Sequence, residues 1–302
     1  GFCFSGDSAI VSSTGDESGT NTVWTKSDDL LKSYAGSSSC RECHAAEFKS
    51  WSASHHALAE RLVQSNLDFN AFVPPRKMGQ GARQFSFQWQ AGRAQIAGVG
   101  LSRKVETNSV TRVIGVSPLR QFLVPFPGGR QQVLAAAYDP RSNEWFNVFG
   151  HENRQPGEWG HWTGRGMNWN SMCAACHNTR LQKNYDPATD SYHTTMTEMG
   201  VGCEACHGPM AAHVAWQKKY GKSGRADPTL PKFTREQTME NCAFCHSRRV
   251  DLTGDFKPGD KFFDHQELAI VDDSDHFYPD GQIHDEDYEY TAFLGSRMFN
   301  KG

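Results

Sequence analysis

Four Cys-x-x-Cys-His segments, at positions 40–44, 173–177, 203–207 and 242–246, constrain this chain more than any other feature. They take eight of its nine cysteines and four of its thirteen histidines. Two thiols three positions apart fall on one helical turn, where each can bond a vinyl-derived carbon of the same porphyrin. The histidine that follows reaches the iron, so the pattern is that of c-type haem attachment. Four covalently attached c-type haems are therefore expected. Cys40, Cys43, Cys173, Cys176, Cys203, Cys206, Cys242 and Cys245 are the attachment points, and His44, His177, His207 and His246 are the proximal ligands.

Other uses of paired cysteines fit less well. A zinc ribbon needs two Cys-x-x-Cys pairs, and 173/176 with 203/206 are spaced somewhat like one, but it requires no histidine after each pair. A thioredoxin-like pair needs a βαβ setting, which is missing here. Structural disulfides would not select this spacing four times. Cys3 is left over, as a free thiol or an intermolecular partner.

Each iron needs a sixth ligand, and nine further histidines exceed the four required. His213 lies six residues past His207, on a helix expected from Pro209. His161 precedes the second motif in a stretch containing Trp159, Trp162 and Trp169, whose rings can shield a haem. His265 follows the fourth motif, and His55 and His56 lie about three helical turns beyond the first. None of the eight methionines is better placed, so bis-histidine ligation and low potentials are expected.

The rest of the chain sets the frame for these motifs. A formal charge of −3 offers no basic face for nucleic acid. The longest uncharged apolar run, around 133–138, is far short of the roughly 20 residues that a membrane span needs. No basic and then apolar leader opens the chain, so an export signal is expected to have been removed already.

Residues 1–39 read as a flexible arm rich in Ser, Gly, Thr and Asp, and 40–69 as a first haem-binding helical segment. Residues 70–160 form a β-rich insert, with strands expected over 85–89, 110–116, 121–124, 131–137 and 145–149. Residues 161–302 carry haems 2–4, with helices over 209–220 and 234–243 and an acidic, loop-like stretch over 251–290. The expected fold class is a mostly irregular and α-helical multihaem cytochrome c, with an inserted small antiparallel β subdomain.

The segment Ser38–His44 followed by Trp51–Ala57 resembles the opening of the cytochrome c554-like multihaem cytochromes, closest to a bacterial branch often fused to tetratricopeptide repeats. Further matching stretches are 118–124, 126–129, 161–164, 184–187, 201–209 and 278–282. The resemblance implies electron transfer through closely stacked haems outside the cytoplasm, in the periplasm or at the cell surface. It also places sixth ligands at His56, in preference to His55, and at His213. Related sequences usually continue into another Cys-x-x-Cys-His and the repeats, neither of which follows here. The expected partners are accordingly redox proteins, for a carrier, or identical subunits of an extracellular cytochrome filament. The rival reading is a redox enzyme acting on small nitrogen or sulfur compounds at an open haem, which the surplus of histidines disfavours.

Overall fold

A computed structural model describes residues 31–284 and 288–301. Cys3 and most of the expected N-terminal arm lie outside the described residues.

Strand content, about 25%, nearly equals helix content, about 29%, so the chain is more β-rich than a mostly α-helical fold class anticipates. The strands that account for this lie between Glu60 and Asn147 and form two antiparallel sheets. One has five strands in the order β1-β6-β7-β8-β9: β1 (Glu60–Leu62), β6 (Arg112–Ile114), β7 (Arg120–Phe126), β8 (Arg130–Asp139) and β9 (Glu144–Asn147). The other has four in the order β2-β3-β4-β5: β2 (Arg76–Met78), β3 (Phe85–Gln90), β4 (Arg93–Val99) and β5 (Val105–Ser109).

Alternation along β7 and β8 explains how the five-stranded sheet sits. Phe122, Val124, Leu134 and Ala136 point to one face, where they meet Phe85, Phe87 and Ile96 of the smaller sheet and Phe72 of helix α2 (Ser65–Phe72). Leu123 and Val133 point the other way and pack with Ile114 against Met167, Trp169 and Ala174, beside the second cysteine motif. Burying a side chain such as Leu123 contributes about 1.5–3 kcal/mol, so the second face docks the sheet onto the motif region. Trp162 extends the same attachment by donating its indole N–H to the Val99 carbonyl at 2.8 Å.

Two elements differ from expectation. Helix α1 (Ala45–Ser52) covers only part of the helical segment expected over 40–69: β1 (Glu60–Leu62) interrupts it. Glu60 and Arg61 are buried there, which no helical apolar stripe would signal. Arg61 pairs with the fully buried Asp68, which also meets Arg120 at 3.2 Å. Strand β4 was not anticipated either. Its buried positions are Ala94, Ile96 and Gly98, and a Cβ on Gly98 would come 2.7 Å from the Phe85 ring.

The motif region is built from short helices: α3 (Trp169–Met172), α4 (Ala174–His177), α5 (Cys203–His207), α6 (Ala211–Tyr220) and α7 (Arg235–His246). Helix α7 starts with a capping box, in which the Thr234 hydroxyl accepts from the Gln237 amide and the Gln237 side chain accepts from the Thr234 amide. No described helix is long and apolar enough to cross a membrane.

Candidate haem-binding site

The four motifs form a row in space whose order is not that of the chain. Ser37, ahead of the first motif, accepts the Cys203 amide at 2.9 Å, and the Cys40 and Cys203 thiols hydrogen-bond. Asn241 on α7 donates to the Cys206 carbonyl at 3.2 Å, and Cys206 and Cys242 are neighbours. About one turn further along α7, Cys245 hydrogen-bonds Cys176, whose Sγ also lies 4.0 Å from the Phe244 carbonyl. The row therefore runs first, third, fourth, second, with α7 as its central member.

Two carboxylates bind the backbone around this row. Glu204, inside the third motif, accepts from the amides of Ala35, Gly36 and Met210 at 2.7–2.8 Å. Glu198 accepts the amide and hydroxyl of Ser37. Glu204 satisfies the rule that a buried charge needs several hydrogen bonds, and it ties residues 35–36 to the third motif.

Three of the motif thiols are shifted upward. Burial and the adjacent Cys203 thiol push Cys40 up to about 11. Cys206 is raised chiefly by burial, and Cys245 is raised well above its ordinary value, first by its bond to Cys176. Reactive cysteines show the opposite shift. Among the described residues, no three His, Cys, Asp or Glu side chains converge as a zinc site requires.

Histidine pairs do face each other. The ring centroids of His44 and His213 are 6.5 Å apart, and those of His56 and His246 are 6.2 Å apart. Two metal–imidazole bonds of about 2 Å, drawn along the rings, separate the centroids by about 6 Å. The gaps thus fit one iron each. In both pairs the partners come from different parts of the chain: His213 lies on α6, after the third motif, but faces the first motif's histidine. His56, after the first motif, faces that of the fourth.

Hydrogen bonds also select the ring nitrogens. His177 Nδ1 lies 3.0 Å from the Ala59 carbonyl, which leaves Nε2 for a metal. Next to Ala59, Glu60 accepts from Trp169 Nε1 and Asn178 Nδ2, both at 2.7 Å, so it holds the residues that flank the second motif. His213 Nδ1 meets Asp227 Oδ2 at 2.7 Å, an arrangement that orients a ligating imidazole and increases its basicity. Burial pushes the Asp227 carboxyl up. Hydrogen bonds from Thr229, His213 and Gln217 outweigh this and hold it at about 2, so it is ionised. Burial, followed by the proximity of His246, lowers the pKa of His56 and favours the neutral, ligating form.

His161 and His265 sit differently. His161 is buried, with Nδ1 2.8 Å from the Thr163 hydroxyl and its ring against Trp162, at the edge of the β core. His265 contacts Phe256 edge-on, with Nδ1 against Thr253 and Asp255 and Nε2 3.5 Å from Asp260. Neither is among the described histidine–histidine ring contacts. Sequence reasoning did not single out Asp227, Ala59 or Glu60. Each acts through a partner distant in the chain, and no local pattern marks it.

The family model described as Cytochrome c554 and c-prime matches residues 39–76 and 157–208. Most of the two sheets falls between the matched stretches. No curated protein matches the chain. Among solved structures, Outer Cell Wall Cytochrome OcwA is similar at a TM-score of 0.56 and 19% identity, over 85% of this chain and 50% of that one. The undecaheme cytochrome from the S-layer of Carboxydothermus ferrireducens is matched at a TM-score of 0.43 and 20% identity, over 76% of this chain and 29% of that one. The chain thus spans half the length of OcwA, and at 19% identity that likeness is one of fold. By its motifs, its matched segments and its fold, the chain resembles the cytochrome c554-like multihaem c-type cytochromes.

Proposed function

We propose that this chain is a tetrahaem electron-transfer protein with bis-histidine ligation, exported to the periplasm or the cell surface. The carrying observation is the pair of facing histidines, His44 with His213 and His56 with His246, spaced for one iron each. The cysteine pairs hold the haems and the motif histidines ligate them. The haems supply one-electron chemistry, while the protein sets their spacing, exposure and axial field. Adjacency of the motif cysteines along the row supports close haem-to-haem contact from the first motif to the second.

Export suits this chemistry, and the similar OcwA is named for the outer cell wall. Redox proteins or further copies of the chain are the partners this reading calls for. His161 and His265 remain proposed ligands for the second and third motifs: His161 Nε2 is buried without a hydrogen-bond partner, whereas both ring nitrogens of His265 face aspartates that it would have to leave.

The test is haem counting by intact mass, with reduced spectra taken before and after carbon monoxide. Four haems per chain with low-spin spectra unaltered by the gas are expected. Fewer than four overturns the tetrahaem reading. A spectral shift on one haem in four would instead favour an enzyme with an open iron. His213→Ala should create such a shift at one haem.

A further inference from the structure

The two ends of the motif row carry opposite charges close to the haem-bearing residues. At the junction of the fourth and second motifs, Arg249 stacks its guanidinium 4.2 Å from the Phe244 ring centroid and lies 3.9 Å from Cys176 Sγ. Its field also reaches Cys245. Its hydrogen-bond acceptors are the Phe244 carbonyl, the Gln266 side-chain carbonyl and the Cys176 sulfur, all uncharged. The nearby acid Asp251 is engaged elsewhere, with Lys183 at 3.5 Å and Gln266 at 3.2 Å. Among the described residues the cation therefore has no carboxylate in direct contact, and it is half-buried, where screening by solvent is reduced.

At the other end, His213 has Asp227 behind it, with a side chain only 6% exposed. Asp227 is held by His213, Gln217 and Thr229, with no cation other than a protonated His213 among these partners. A carboxylate bonded to an axial imidazole makes that ligand more electron-donating and favours the oxidised iron. A cation beside a haem favours the reduced one.

Resting on the tetrahaem reading above, we propose that Arg249 makes the fourth–second junction the high-potential end of the row, and that Asp227 makes the first motif the low-potential end. Electrons entering at the first haem then run downhill, through the third, towards Cys245 and Cys176. Arg249 is a positioning residue in this scheme, acting through its field and not as a ligand.

The test is a potentiometric titration of the haem-loaded protein, followed by visible absorption, for the wild type, Arg249→Gln, Arg249→Lys and Asp227→Asn. Arg249→Gln should move one or two of the four components to lower potential, with haem content and low-spin character unchanged. Arg249→Lys should retain most of the wild-type profile. Asp227→Asn should move a different single component to higher potential, and it tests the gradient even if the arginine variants fold poorly. Four unmoved components in both Arg249→Gln and Asp227→Asn would overturn the inference, as would equal shifts in Arg249→Lys and Arg249→Gln, which would indicate packing instead of charge. A wild type with fewer than four haems would overturn the tetrahaem reading itself, a separate outcome read before any variant.

Discussion

The β sheets and the motif row are stabilised by different means. Between the sheets, Phe72, Phe87, Phe122 and Trp145 stack on one another in a closed aromatic core, and Phe72 and Phe122 are fully buried. Around α7 the buried apolar cluster shrinks to Ala243, Phe262 and Tyr290, with Leu268, Phe293 and Leu294 partly covered. A protein region with so little apolar burial has little to offset its conformational entropy. The sheets can fold on their side chains, whereas the motif row depends on what its cysteines bind.

The largest break in this contrast should come from the centre of the row. Cys242→Ala together with Cys245→Ala removes attachment on α7, which touches both neighbouring motifs. Loss of cooperative folding in the motif region is expected, with the sheets retained, read as protease-resistant fragments spanning Glu60–Asn147. Survival of all other haems at full occupancy would contradict it. Next, Phe122→Ala empties the middle of the β core and should cost about 3–5 kcal/mol in denaturant unfolding, with little change in the haem spectrum.

Glu60→Ala joins the two regions in one experiment. It strands Arg112, Trp169 Nε1 and Asn178, and should cost about 3 kcal/mol. Because Ala59 and Glu60 hold His177 and its flanks, the second haem's spectrum should change too. An unchanged spectrum would confine Glu60 to stability. The smallest effect is that of Thr234→Ala, which removes the cap of α7 and should lower stability by about 1 kcal/mol.

The same contrast explains what could be read in advance. The haem motifs were legible because attachment chemistry demands a fixed local spacing. Strands β3, β7 and β8 were legible because large apolar residues alternate along them. Strand β1 was not, since its buried residues are a glutamate and an arginine whose partners, Arg112, Trp169, Asn178 and Asp68, come together only in the fold. Strand β4 was hidden by Gly98, where the Phe85 ring occupies the space a side chain would need. His56 and His213 each face a motif histidine, but which one depends on how the segments cross, and no local pattern carries that.

That crossing has a consequence for the order of biogenesis. Translation delivers His44 long before His213, and His56 long before His246. The earliest motif to emerge therefore waits for a ring delivered after the third, and the last motif finds its partner already in place. A chain halted near residue 200 would expose His44 without its opposite ring, to be captured by whatever other donor is at hand. A protease would have most reason to act on that half-finished chain.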